Sequence, residues 1–137
     1  KPVLARGGIY CVAMNEATWL TLAFPLFRLP AFLAAFASAL AMELDHLDIA
    51  DSVLARELEA FSGDIEFVKN SDRALVASIN GVSRRFEAEM SLDPFLGLDS
   101  LLESQHRLNE MVHPTRDVSI PAEAVQLLLG TEDGQAN

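Results

Sequence analysis

Features that would reveal a function directly are scarce in this chain of 137 residues. It contains one cysteine, Cys11, so no internal disulfide can form, and a lone thiol is typical of a reducing compartment. Cys11 lies within the apolar residues 9–14, where a buried, unreactive thiol is more common than a nucleophile. The sequence therefore predicts a cytoplasmic protein that folds without covalent cross-links.

Basic residues are also few, because 10 lysines and arginines stand against 20 acids and the net charge is −10. A protein that binds free DNA or RNA needs a basic surface to displace counterions from phosphates, so this balance predicts no nucleic-acid partner. The acids are concentrated in residues 43–66, whereas residues 67–90 are nearly balanced. The weakest alternative is nucleic-acid binding through the bases of the balanced segment, which are Lys69, Arg73, Arg84 and Arg85.

Long unbroken apolar runs are absent as well. The most apolar stretch, residues 19–42, is interrupted by Pro25, Arg28 and Pro30, and a membrane helix needs about 20 continuous apolar residues. The sequence therefore predicts no membrane-spanning segment and no membrane partner.

Motifs of nucleophilic or phosphate chemistry are missing. The chain has no Gly-x-Ser-x-Gly, no Walker loop and no Gly-x-Gly-x-x-Gly, and its Gly7-Gly8 pair precedes a predicted strand rather than a helix. Ser78 and Ser83 fall inside a predicted helix, where a hydroxyl usually bonds its own backbone. These absences disfavour an enzyme, and we expect no cofactor.

The apolar pattern predicts an α+β fold, with a small, mostly antiparallel sheet of about three strands packed by four to five helices, mostly on one face. The strands are expected at residues 9–14, 19–24 and 65–68. Helices are expected from Pro30 to Leu47, from a cap at Asp48 or Asp51 to Gly63, from caps among residues 70–72 to Asp93-Pro94, from Asp99 to Val112, and from Pro121 to Gly130. Residues 1–130 form one predicted domain, and residues 131–137 form a polar tail.

One predicted helix carries a possible metal-binding pattern. Two Glu-x-x-His pairs, a spacing found in carboxylate-bridged iron sites, form one stripe: Glu103, His106, Glu110 and His113. The stripe lies nearly opposite the core positions Leu101, Leu108 and Val112, so we expect it to face water. A metal- or small-ligand-dependent enzyme using these four residues is the alternative function.

A second cluster, Asp45-His46-x-Asp48-x-x-Asp51, joins three acids to one imidazole. Calcium loops need a glycine turn and a fixed series of ligands, and neither is present. The cluster is therefore predicted to solvate helix ends.

The start of the third predicted helix holds the most informative polar residues. Asp72, Arg73, Asn80 and Arg84 form a polar region separate from the core positions and close to the small residues Ala77 and Ser78. Such a surface could receive another chain, or an anion at the helix N-terminus. The alternative is helix capping by Ser71 or Asp72 with ordinary packing.

Several segments together resemble an uncharacterised family of small bacterial proteins of unknown function. They are Asn15-Glu16-Ala17-Thr18 before a strand, Pro25 at its end, residues 72–80, and residues 108–112. The family's shared segment is of the type Thr-x-x-Arg-Ser-Val-Leu-Gly-Ser-Met-Asn, and here Ala77 stands where glycine is usual. Val112-His113 stands where a proline-containing step is common. The resemblance spans roughly residues 3–129. It implies a compact α/β-type domain of bacterial origin, and it implies no activity.

The leading interpretation is a non-enzymatic protein-interaction module that binds a partner or self-associates. Binding is expected through the Arg73, Asn80 and Arg84 surface or by pairing at an exposed sheet edge. An antitoxin-like or inhibitor-like role is one version of this interpretation, suggested by charge and size.

Overall fold

The computed structural model describes residues 1–5, 8–26, 28, 30–60, 72–92, 98–113 and 120–130. Its strands are β1 (Pro2–Ala5), β2 (Gly8–Met14) and β3 (Thr21–Pro25). Its helices are α1 (Ala31–His46), α2 (Asp51–Glu59), α3 (Arg73–Leu92), α4 (Leu98–Asn109) and α5 (Pro121–Leu129). The three strands form one antiparallel sheet in the order β1-β2-β3, which confirms the predicted α+β class.

β2 and β3 match two predicted strands, and the turn between them is organised by one side chain. Asn15 Oδ1 accepts hydrogen bonds from the backbone N–H groups of Ala17 at 2.9 Å and Thr18 at 3.0 Å, as asparagine commonly does in turns. Trp19 then takes a positive φ of 62°, an uncommon conformation for a non-glycine residue. The predicted strand at residues 65–68 lies outside the described residues.

Helices cover both faces of the sheet, so the prediction that they lie mostly on one face is wrong. Leu22 and Phe24 of β3 join a core cluster with α1, α2 and α5. Val12 and Ala23 join a second cluster with α3 and α4. The physical reason is that consecutive residues of β2 and β3 are apolar, so neither face is suited to water.

The helix ends show which local signals the chain uses. Asp72 Oδ1 accepts a hydrogen bond from Leu75 N at 3.1 Å, which confirms capping of α3. The predicted cap of α2 is wrong, because Ala50 is its N-cap and makes no side-chain cap bond. α4 ends at Asn109, so Val112 leaves the helical stripe and is 62% exposed instead of buried.

Among the described residues, none of the helices has the length and apolar character needed to cross a bilayer. The predicted tail at residues 131–137 lies outside the described part of the chain.

Cys11 is buried in the sheet, and burial raises the pKa of its thiol. We expect an alkylating reagent to modify Cys11 at least about 100-fold more slowly in the native protein than in denaturant, since a local opening costing about 3 kcal/mol limits access that much. Mass spectrometry of timed iodoacetamide reactions measures the rate. A Ser52→Cys variant places a second thiol on an exposed position of α2 and should react rapidly. Equal rates for the two thiols would contradict the burial.

Candidate functional site

A buried carboxylate lies where α1, α4 and β3 meet. Glu43 of α1 is 0% exposed, and three side chains of α4 hydrogen-bond to it. Gln105 Nε2 donates at 3.0 Å, Asn109 Nδ2 donates at 2.8 Å, and His106 Nδ1 shares the oxygen used by Gln105. A buried carboxylate is costly unless hydrogen bonds replace its lost hydration, and the side chains of α4 supply these bonds.

Two of these side chains also bind the outer edge of β3. Gln105 Oε1 accepts from Ala23 N at 2.9 Å. The Asn109 amide bonds both backbone groups of Thr21, accepting from its N–H at 2.6 Å and donating to its carbonyl at 2.8 Å. Residues four apart on a helix are separated by about 6 Å along its axis, close to the repeat of two strand residues. The amides of α4 therefore take the place of a fourth strand beside β3.

An imidazole pair lies at the solvent side of this network. His106 stacks on His46 of α1 with ring centroids 3.6 Å apart and planes inclined by 8°. A carboxylate that orients an imidazole also occurs in catalytic triads. In the described part of the chain, however, no hydroxyl or thiol hydrogen-bonds to His106. Among the described side chains, the arrangement therefore holds the imidazole between Glu43 and His46 and brings no hydroxyl or thiol to it.

The structure separates the four predicted metal ligands. Glu103 is exposed beside Arg107 at 3.9 Å, and Glu110 is exposed just beyond the end of α4. His106 hydrogen-bonds to Glu43, and His113 packs edge-on against Trp19. The described residues contain no group of three or more His, Cys, Asp or Glu side chains that could hold a metal ion. The prediction that this stripe faces water is wrong for His106 and His113. α1 covers His106, whose ring contacts Glu43. His113 lies beyond the end of α4 at Asn109, so it leaves the helical stripe and is buried.

The predicted interaction residues divide into two locations. Asp72 and Arg73 lie at the start of α3, where Asp72 is the cap. Asn80 and Arg84 line a hollow of about 290 Å³ between β1 and α3, which we call the β1–α3 groove. Its other lining residues are Lys1, Pro2, Val3, Leu4, Ser83 and Glu87.

A larger hollow of about 650 Å³ lies between the sheet, α1 and α5, with Glu57 of α2 and Leu75 of α3 also in its lining, and we call it the α1–α5 hollow. Aliphatic and aromatic side chains form most of its wall, including Leu22, Phe36, Leu40, Leu44 and Val125. Its polar lining includes Asn15, Glu16, Thr18 and Glu57. Local sequence patterns do not predict this hollow, because its lining residues come from segments far apart in the chain.

A three-stranded sheet between two helical layers, tied together by a buried carboxylate–amide network, defines a small α+β domain. Residues 4–124 match the family model described as "Domain of unknown function (DUF6933)", so the chain belongs to that family. No curated protein and no solved structure matches the chain. The match confirms the expected resemblance to an uncharacterised family of unknown function.

Replacing Glu43 should destabilise the fold strongly. Glu43→Ala removes the side-chain acceptor that Gln105, His106 and Asn109 share and leaves a cavity at a fully buried position, and we expect a loss of about 3–5 kcal/mol in unfolding free energy. Urea denaturation followed by circular dichroism measures this loss. Glu103→Ala is the matched control, since Glu103 is 72% exposed in its side chain, and its cost should stay within about 0.5 kcal/mol. Similar losses for both variants would contradict the role of Glu43.

Changing one amide nitrogen to oxygen should have a comparable effect at Asn109. Asn109→Asp removes the donor to Thr21 O and Glu43 and places a second carboxylate beside the first. We expect a loss of about 3 kcal/mol or more at pH 7 by the same denaturation measurement. Asn80→Asp makes the same chemical change at an exposed hydrogen bond to Lys1 and should cost less than about 0.5 kcal/mol. Equal costs at the two sites would disprove the importance of the network.

Proposed function

We propose that this protein is a protein-interaction module that binds an extended segment of a partner protein in the β1–α3 groove. The observation that carries the proposal is that an edge strand and a polar helix stripe form the two sides of one groove. A peptide that adds a strand to a sheet edge gains main-chain hydrogen bonds from the edge and specificity from neighbouring side chains.

The backbone of β1 is oriented for such pairing. Lys1 and Val12 exchange two backbone hydrogen bonds of 2.7 and 2.8 Å. Bonded positions alternate along an antiparallel pair, so the register of β1 and β2 directs the N–H and carbonyl of Leu4 away from β2. The side chain of Leu4 is 68% exposed. Leu4 therefore offers both a donor and an acceptor at the groove.

The helix side of the groove supplies side chains for recognition. Asn80, Ser83, Arg84 and Glu87 lie on one stripe of α3. Ser83 is 3% exposed, and its hydroxyl has no hydrogen-bond partner among the residues that the structure describes. A buried hydroxyl without a partner costs about 1–3 kcal/mol, and rotation of the Ser83 side chain toward the groove would let a bound peptide group satisfy it.

The charges of the groove and of the whole chain favour a particular occupant. Arg84 is exposed and forms no ion pair with a carboxylate in the described ranges. An acidic side chain of the partner segment would therefore form a favourable ion pair with it. A second copy is disfavoured, because each copy carries a net charge of −10 and the two would repel. An antitoxin-like or inhibitor-like role in a bacterial cytoplasm is one form of this function, supported by the chain's size and acidity.

Selection of linear peptides from a random displayed library tests the proposal directly. We expect enriched peptides to share an acidic position and to bind the purified chain in fluorescence polarisation. Leu4→Pro removes the outward N–H without breaking a bond to β2 and should weaken binding about fivefold or more. Leu4→Ala removes the same side chain, keeps the N–H, and should retain more affinity than Leu4→Pro. Arg84→Ala should remove the preference for the acidic position.

Ser83→Ala separates recognition from folding. We expect it to weaken peptide binding while leaving the thermal midpoint unchanged or higher, since it removes an unsatisfied buried hydroxyl. Failure to enrich any peptide, or affinities that do not respond to Leu4→Pro and Arg84→Ala, would refute the proposal. Sedimentation showing a dimer that Leu4→Pro dissociates would also refute it, in favour of a second copy as the occupant.

A further inference from the structure

We propose that the α1–α5 hollow is a binding site for a small amphiphile with an aliphatic body and a protonated amine as its head group. This site is separate from the β1–α3 groove, and the inference does not depend on peptide binding there. It rests on the size of the hollow, the apolar character of its wall and the charge of its polar lining.

The size of the hollow exceeds what core packing leaves by accident. Protein interiors contain few voids larger than a water molecule, whereas ligand sites typically measure about 300–1,000 Å³. At about 650 Å³ the hollow falls in the range of ligand sites. Its wall is drawn from the main core of the molecule, since Leu22, Leu44 and Val125 belong to the cluster that α1 and α5 form with the sheet.

The wall selects an apolar body. Leu20, Leu22, Leu44 and Val125 form the buried base of the hollow, whereas Phe36, Leu128 and Leu129 keep exposed apolar surface that a ligand could cover. Removal of aliphatic surface from water is favourable and needs no specific geometry. An alkyl chain is therefore the simplest group that this part of the hollow would accept.

The polar lining selects the head group. Among the described residues that line the hollow, the charged side chains are the two carboxylates Glu16 and Glu57, and Asn15 and Thr18 lie on the same segment as Glu16. Asn15 and Thr18 are already hydrogen-bonded within their own turn. These two carboxylates attract a cationic head group and repel an anionic one, and no Lys or Arg is among the described lining residues. The hollow therefore favours an aliphatic amine over a fatty acid.

Calorimetric titration with three probes of equal chain length tests this assignment. The probes are decylamine, decanol and sodium decanoate, each below its aggregation concentration at pH 7, where an aliphatic amine is protonated. We expect decylamine to bind about three- to tenfold more tightly than decanol and to exceed decanoate by more. Decanoate binding as tightly as decylamine, or no binding of any probe at submillimolar concentration, would overturn the proposal.

Because the whole chain is acidic, it would attract a cationic probe non-specifically. A matched pair of variants distinguishes that attraction from binding in the hollow. Glu57→Gln and Glu103→Gln each remove one negative charge, the first in the lining of the hollow and the second on the exposed surface of α4. Glu57→Gln should weaken decylamine binding about threefold or more, and Glu103→Gln should change it less than twofold. Equal effects would assign the binding to overall charge and overturn the proposal.

A filling substitution tests the apolar part. Ala13→Leu adds an aliphatic side chain at a lining position of β2, and because it occupies part of the hollow it should weaken decanol and decylamine binding without lowering the thermal midpoint. Ala88→Leu makes the same change at an exposed position of α3 and should leave binding intact. Unchanged affinity in a folded Ala13→Leu protein would overturn the proposal. Were Ala13→Leu to fail to fold, the Glu57→Gln and Glu103→Gln comparison would still decide it.

Discussion

The carboxylate of Glu43 is the interaction on which the arrangement of the three layers depends. It has no solvent exposure, and transferring a charge out of water costs several kcal/mol unless partners replace the lost hydration. In the described ranges, the side chains that hydrogen-bond to it all come from α4, within little more than one helical turn. Two of them extend the contact to the backbone of β3. One polar network therefore fixes the rotation of α4 about its axis and its position along that axis, relative to both α1 and the sheet.

Periodicity explains why much of the fold can be predicted from the sequence. The helices repeat their apolar residues every three or four positions over many turns, and β2 and β3 are runs long enough to recognise. β1 has only four residues and begins with Pro2, so no pattern distinguishes it from a loop. It becomes a strand because β2 offers a partner, which is information that the local sequence does not contain.

The candidate sites were harder to predict because residue type alone does not tell which charges are buried. An acid inside an apolar helix, such as Glu43, is ordinarily placed on the surface. Gln105 and Asn109 are also polar residues that a helical pattern assigns to water, yet both are fully buried at the edge of β3. The spacing of His106 from Glu103 suggested metal chemistry, whereas its actual partner lies 63 residues away in the chain. Long-range pairing of this kind is invisible to local spacing.

The amides of α4 have a consequence for how the described sheet can combine with other molecules. β2 has a strand on each side, and β3 has β2 on one side and the side chains of Gln105 and Asn109 on the other. Among the described strands, β1 alone has an edge that neither another strand nor the amides of α4 pair, and Leu4 presents both a backbone N–H and a carbonyl there. One edge of the described sheet is therefore open to pairing with another strand. Pairing of one strand with β1 would leave the described part of the sheet without an open strand edge, and a sheet without an open edge does not extend into a ribbon or fibril.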